Sequence, residues 1–88
     1  MRTIYKYPLA IADAQAIEMP PKSEPLCVQM QGGRPHLWCS VPVTQAQHVP
    51  VTVVTVGTGH PIPVKHGPLK YLGTYQDGPF VGHVFVRA

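Results

Sequence analysis

Residues 57–63, with the sequence Gly-Thr-Gly-His-Pro-Ile-Pro, have the composition of a loop that binds an anion. They follow a run of β-branched residues, and their glycines leave backbone amides free to hydrogen-bond to a phosphate or a carboxylate. Thr58 and His60 would add side-chain donors, and Lys65 and His66 would add positive charge. Because no helical pattern follows, the segment is not a P-loop, and a tight structural loop held by glycine and proline is the alternative interpretation. We predict that this loop contacts an anionic ligand or an acidic partner.

Aromatic and basic residues near both ends of the chain suggest a second kind of binding surface. Tyrosines beside cationic side chains can stack on the bases of single-stranded nucleic acid while the cations track the phosphates. The residues of this type are Arg2, Tyr5, Lys6, Tyr7, Lys70, Tyr71 and Tyr75. Tyr71 and Tyr75 are the two predicted to contact a ligand or partner. The alternative for Tyr5 and Tyr7 is that they share one face and cover the core.

The sequence predicts neither a metal site nor a catalytic site. Its histidines have no short paired spacing and no cluster of cysteines or acids beside them: His36, His48, His60, His66 and His83. Its acids have no catalytic partner implied by spacing: Asp13, Glu18, Glu24 and Asp77. The apolar run around His83 is typical of a core histidine, and phosphate binding is the alternative. We therefore expect no cofactor and interpret the protein as a binding protein rather than an enzyme.

The composition predicts one domain, residues 1–88, part of whose surface is covered by another molecule. Only 12% of the 88 residues are charged, against about 25% in typical domains, while 44% are apolar. The net charge of +3 comes from scattered residues rather than from a basic stripe, so it does not indicate a dedicated DNA-binding domain. A small core and a weakly charged surface favour a homo-oligomer.

Nothing in the chain predicts a membrane span or a secretion signal. No stretch approaches the roughly 18 apolar residues that a span needs, and the first 19 residues lack the apolar centre of a signal peptide. We expect a cytoplasmic protein with reduced thiols.

The fold is predicted to be mainly β: a small antiparallel sheet, sandwich or barrel with at most one short helix. Eleven prolines and eight glycines exclude long helices, and only residues 10–16 could form a helical turn. β-branched and aromatic runs bounded by glycine and proline predict strands at residues 2–7, 16–19, 24–30, 36–41, 51–56, 69–76 and 80–86.

A first hairpin is predicted with Gly32 and Gly33 as its two-residue loop. In this register Val28 faces Leu37 and Leu26 faces Cys39. One face is then apolar throughout: Leu26, Val28, Met30, Leu37, Cys39 and Val41. Cys27 and Trp38 pair on the other face, so Cys27 and Cys39 point apart and are expected to be free thiols, and Trp38 is suited to anchor an interface.

A second hairpin is predicted with Asp77 and Gly78 as its loop. Its register pairs Tyr75 with Phe80, Gly73 with Gly82 and Tyr71 with Val84. The paired glycines would leave a bare patch of backbone able to admit another chain or a flat ligand, and a bulge is the alternative.

Five ordered segments carry a resemblance to a known family: YKYPL at 5–9, VQMQ at 28–31, GTGHPI at 57–62, YLGTYQ at 71–76 and GPFVGHVF at 78–85. Together they resemble a family of short uncharacterised proteins of tailed phages and prophages, over nearly the whole chain. The resemblance implies a source and no functional residue.

Small accessory phage proteins that are not enzymes often inhibit a host system, for example as anti-CRISPR proteins or as sponges for signalling nucleotides. The expected function is therefore a phage-encoded inhibitor that binds a host defence protein or sequesters a signalling nucleotide. This expectation rests on the class of protein and not on residues. The alternative is a single-strand nucleic-acid-binding module.

Overall fold

The computed structural model describes residues 1–43 and 47–87, and within these ranges it contains seven β-strands and no helix. All seven predicted strands are confirmed, with ends shifted by two residues at most. The strands are β1 (Arg2–Pro8), β2 (Ala14–Met19), β3 (Glu24–Gln31), β4 (Arg34–Pro42), β5 (Val49–Gly57), β6 (Leu69–Asp77) and β7 (Phe80–Arg87). No helix in these ranges is long and apolar enough to cross a membrane.

The strands form two antiparallel sheets that do not close into a barrel. The three-stranded sheet has the order β1-β4-β3, and the four-stranded sheet has the order β2-β5-β7-β6. The edge strands β3 and β6 approach each other at Gly73, where a Cβ atom would lie 3.0 Å from Val28 Cγ1 and 3.6 Å from the Val28 backbone nitrogen. The absence of a side chain at Gly73 therefore lets the two sheets meet closely along these edges.

Both sheets contribute one face to a shared core. The burial pattern alternates along β4 and β7, as it does in strands with one solvent-facing side. The buried cluster consists of Leu9, Met19, Val28, Leu37, Cys39, Val41, Val53, Tyr75, Val84 and Val86. The face of each sheet that carries these residues is called its inner face, and the opposite face is called its outer face.

The β3–β4 hairpin confirms the predicted register from the Gly32–Gly33 loop to the Cys27–Trp38 pair, and then departs from it. A bulge lies between Pro25 and Cys27, so that Pro25 faces Cys39 and Glu24 faces Ser40. Leu26 therefore does not join the apolar face as predicted, and its side chain is 48% exposed.

Backbone pairing explains the bulge. The Val43 amide donates to the Met1 carbonyl, so odd-numbered residues of β4 bond to β1 and even-numbered ones bond to β3. Without the bulge Pro25 would face Ser40, where β3 must donate an N–H group that proline lacks. The bulge places Glu24 there instead.

The predicted register of the β6–β7 hairpin is wrong. The two-residue loop is Gly78–Pro79, with Asp77 facing Phe80 and Tyr75 facing Gly82. An Asp77–Gly78 loop would need the Pro79 N–H to close it, whereas Gly78 at φ +60° fits the first position of a type II′ turn. The predicted bare patch is absent from this hairpin, because Gly73 faces Val84 and the Tyr75 ring covers Gly82.

The helical turn considered for residues 10–16 does not form. The Gln15 side chain accepts a hydrogen bond from the Ala10 amide and donates one to the Ala10 carbonyl, each 3.0 Å long. The Thr55 amide donates to the Asp13 carbonyl and begins the pairing of β2 with β5. Tertiary pairing thus overrides the helical propensity of the alanines.

Cys27 and Cys39 are both free thiols, and Cys27 pairs with Trp38 as predicted. Cys39 is fully buried in the core. Burial raises the pKa of the Cys39 thiol to about 11, and the nearby Cys27 adds a smaller contribution in the same direction.

Cys27 is half-buried, whereas Cys39 is fully buried, and this difference in exposure predicts selective alkylation of the native protein. At mildly alkaline pH iodoacetamide should modify Cys27 and leave Cys39 unmodified until the protein is unfolded, because Cys39 is inaccessible and protonated. Peptide mass spectrometry after a short pulse measures the modified fraction at each site. Equal modification of both thiols in the folded protein would contradict the buried position of Cys39.

Replacing Gly82 with Ala should destabilise the protein by about 1–3 kcal/mol, as expected for overpacking. A Cβ at Gly82 would lie 2.8 Å from Tyr75 Cε1, so the ring that covers this strand must move. Gly57→Ala is the matched control, because Gly57 faces Gly82 on β5 and a Cβ there would make only ordinary contacts of 3.6 Å or more. Urea unfolding that shows the same loss for both variants would contradict the role of the Tyr75–Gly82 contact.

Candidate ligand-binding groove

The loop of residues 58–68 lies over the outer face of the four-stranded sheet. Val54 and Val56 project from this face, opposite to the core residue Val53, and yet only 1% and 7% of their surfaces are exposed. Loop residues share two recesses with them, and Gly67 packs against the Arg87 guanidinium. The loop therefore forms a third layer on part of this sheet.

A hydrogen-bonded network fixes the start of the loop to the sheet. His83 Nε2 lies 2.7 Å from Thr58 Oγ1, and His83 Nδ1 lies 2.9 Å from Thr74 Oγ1. Thr74 Oγ1 also hydrogen-bonds to the Tyr71 hydroxyl. Because a hydroxyl can donate or accept, the threonines satisfy both ring nitrogens in either tautomer. One imidazole thus links the loop to β6 and β7.

An open groove of about 410 Å³ lies between the loop and this network, and we call it the loop groove. Its walls are mainly apolar, with Val56, Ile62 and Phe85 beside the polar atoms of the network. The Tyr71 and Phe85 rings meet edge to face, with centroids 5.5 Å apart. Apolar walls with a few convergent polar groups are the usual composition of a small-molecule site.

A second recess of about 270 Å³ lies on the other side of the loop, and we call it the side recess. Lys65 and His66 line it together with Asp13 and the end of β5. His60 borders both the side recess and the loop groove. Its backbone amide donates to the Gly57 carbonyl, and its ring lies against Gly57. His60 therefore borders both spaces, as Val56 does.

The structure brings most of the predicted site residues together around one loop. Thr58, His60 and Tyr71 line the loop groove, and Lys65 and His66 line the side recess.

Tyr75 lies elsewhere, on the inner face against Gly82. Burial raises the pKa of its hydroxyl, and the neighbouring Asp77 adds to that effect. Its ring lines a third recess of about 340 Å³ with Phe80, and His60 and Asp13 border this recess too. Tyr75 therefore does not line the loop groove.

Sequence reasoning missed Thr74 and Phe85, and it considered His83 a core histidine with phosphate binding as the alternative. All three project from the outer face, and Thr74 faces His83 only in the register set by the Gly78–Pro79 loop. Alternation along β7 was the available signal, since His83 and Phe85 alternate with the core residues Val84 and Val86.

The predicted stacking surface for bases is not continuous. Lys6 lies on the outer face of the three-stranded sheet, where its ammonium group is 5.8 Å from the Trp38 ring centroid. Tyr5 and Tyr7 alternate with it and lie on the other face of the same strand. Tyr71 belongs to the other sheet. Trp38 Nε1 is buried without a hydrogen-bond partner in the described residues, and Trp38 lies beside Lys6 and His36.

The donor groups of the site do not form a metal centre. Within residues 1–43 and 47–87 no three histidine, cysteine or acidic side chains are placed to hold one ion. The loop groove and the side recess together instead offer hydroxyls, imidazoles and the Lys65 ammonium group. These groups can donate hydrogen bonds to a phosphate or carboxylate.

Comparison with known proteins places the chain in a family. No curated protein and no solved structure matches it. The family model DUF7352, described as a domain of unknown function, matches residues 1–88. The chain therefore belongs to the DUF7352 family.

Proposed function

We propose that this protein is a non-enzymatic binding protein whose loop groove holds a small ligand with a flat ring and an anionic group, such as a nucleotide. The main support for this proposal is the pair of His83 hydrogen bonds. They fix the loop of residues 58–68, which carries Lys65, above the apolar wall of the loop groove. A preformed groove costs little ordering on binding, which favours affinity for a small molecule.

The loop groove would accommodate the ring of the ligand. Phe85, Ile62 and the exposed Tyr71 ring supply apolar and aromatic surface. Stacking of a base on an aromatic side chain contributes about 1–3 kcal/mol, and it tolerates different bases. The hydroxyls of Thr58 and Thr74 supply hydrogen bonds to the edge of a ring.

The side recess would accommodate the anionic group of the ligand. Lys65 and His66 line the side recess, which does not include Phe85, and His60 borders both spaces. A ligand that stacks in the loop groove would extend its phosphate past His60 toward Lys65. Asp13 in the same recess would disfavour a highly charged ligand, so we expect one or two phosphates rather than a polyphosphate.

The environment of His83 supports binding rather than catalysis. In catalytic triads a carboxylate orients the histidine, which then accepts a proton from a nucleophile. Both ring nitrogens of His83 are instead bonded to threonine hydroxyls. This arrangement positions the loop, and among the described residues no carboxylate is hydrogen-bonded to the ring to orient it as in a triad.

A protein of this kind acts by sequestering its ligand. In the phage setting that the sequence resemblance implies, this role corresponds to the inhibitor of host defence considered above, with a signalling nucleotide as the sequestered molecule. The biological setting is part of the proposal and is separate from the groove chemistry.

Replacing His60 and Lys65 together with Ala should weaken nucleotide binding at least about tenfold, a loss of about 1.4 kcal/mol. Both residues are exposed, so stability should change by only about 0.5 kcal/mol. Calorimetric titration with mononucleotides and cyclic dinucleotides measures the affinity, and urea unfolding checks the fold.

The control variant His48→Ala/Lys22→Gly removes the same side-chain types away from the groove. Glycine is used because Lys22 has φ +66°. Equal affinity of the His60/Lys65 variant and the parent would refute the proposed site. Tight binding of single-stranded oligonucleotides instead, with a steep loss of affinity as salt rises, would favour the nucleic-acid module.

A further inference from the structure

We propose that two copies of this chain pair through the open edge of β1, in antiparallel register about a two-fold axis at Tyr5, to join their three-stranded sheets. This inference is independent of the loop groove, which lies on the other sheet. It specifies how the homo-oligomer expected from the composition is built.

The direction of the backbone N–H and C=O groups shows which residues of β1 could hydrogen-bond to a second chain. The Leu9 amide donates to the Pro35 carbonyl, and the Met1 carbonyl accepts from the Val43 amide. Odd-numbered residues of β1 therefore bond to β4, and even-numbered residues point their N–H and C=O groups to the open edge. Among residues 1–43 and 47–87 nothing pairs with the backbone donors and acceptors that Arg2, Ile4 and Lys6 present there, and Pro8 presents only its carbonyl.

The side chains along this edge favour contact with another chain. Ile4 is 54% exposed and Tyr5 is 52% exposed, and the fully exposed Met1 lies at the start of the strand. Edge lysines often protect a strand against pairing, but Lys6 points across the sheet to Gln31 and Trp38. The edge is therefore long, and exposed apolar side chains lie on it between the two cations Arg2 and Lys6.

Like charges directly opposite each other disfavour two of the registers that an antiparallel two-fold pair allows, and the overlap of the strands favours a third. An axis at Ile4 would place Arg2 opposite the second copy's Lys6, and an axis at Lys6 would place two lysines opposite each other. An axis at Tyr5 avoids both and overlaps all of β1 (Arg2–Pro8). It places Ile4 opposite Lys6 and Arg2 opposite Pro8, where the missing N–H of proline falls at the strand end.

The open edge of β2 carries less exposed apolar surface for pairing than the open edge of β1. The Thr55 amide donates to the Asp13 carbonyl, so Ala14, Ala16 and Glu18 point their backbone groups outward. Two of these side chains are only methyl groups, and Ile17 lies half-buried against the core. Pairing at β2 would bury little apolar surface.

The register is tested by opposite charges at one position. Ile4→Lys would place a new ammonium group opposite Lys6 of the second copy and should raise the dimer dissociation constant at least about tenfold. Ile4→Glu removes the same apolar side chain but creates an attractive pair with that lysine, so it should dimerise at least about tenfold more tightly than Ile4→Lys. Ala16→Lys, the control on the β2 edge, should match the wild type.

Sedimentation velocity from micromolar to submillimolar concentration measures these constants, and circular dichroism checks the fold. A wild-type protein that stays monomeric throughout would overturn the proposal. Equal dimerisation by the two Ile4 variants would overturn the register, and dissociation by Ala16→Lys alone would assign the contact to β2 and overturn the proposal.

Discussion

The two hydrogen bonds of the His83 ring hold the loop of residues 58–68 on the four-stranded sheet, and the candidate site depends on them. Without the loop, Val54 and Val56 would be exposed on the outer face. Full burial of such a side chain contributes about 1.5–3 kcal/mol, so the loop is held by apolar contact as well as by the imidazole. The same contacts that stabilise the loop thus create the groove beneath it.

Proline shapes this chain through the N–H group that it lacks. Pro25 would interrupt the pairing of β3 with β4, and a bulge moves it to the unbonded side of its strand. Pro79 cannot close a hairpin and becomes a loop residue, which shifts the β6–β7 register and brings Thr74 opposite His83. The position of Thr74 in the candidate site therefore follows from the N–H group that Pro79 lacks in the neighbouring loop.

The sequence predicts the strands well because short β-branched runs bounded by glycine and proline favour strands over helices. It predicts the loop at residues 57–66 because glycine, histidine and lysine there are not needed for a strand. It does not predict the bulge at Leu26, the second register or the assignment of strands to two sheets, since these depend on which backbone groups pair across the fold. Thr74 and Phe85 were missed for the same reason, and the position of the Tyr75 ring over Gly82 follows from the same register.

We propose that the loop groove and the adjoining side recess, and no other surface, receive the ligand. Chemical-shift mapping by heteronuclear NMR during titration with a mononucleotide tests it most directly. We expect saturable shifts that concentrate at Thr58, His60, His83 and Phe85, with little change around Trp38 on the other sheet. Shifts centred on Trp38 and Lys6, with the loop unperturbed, would contradict it.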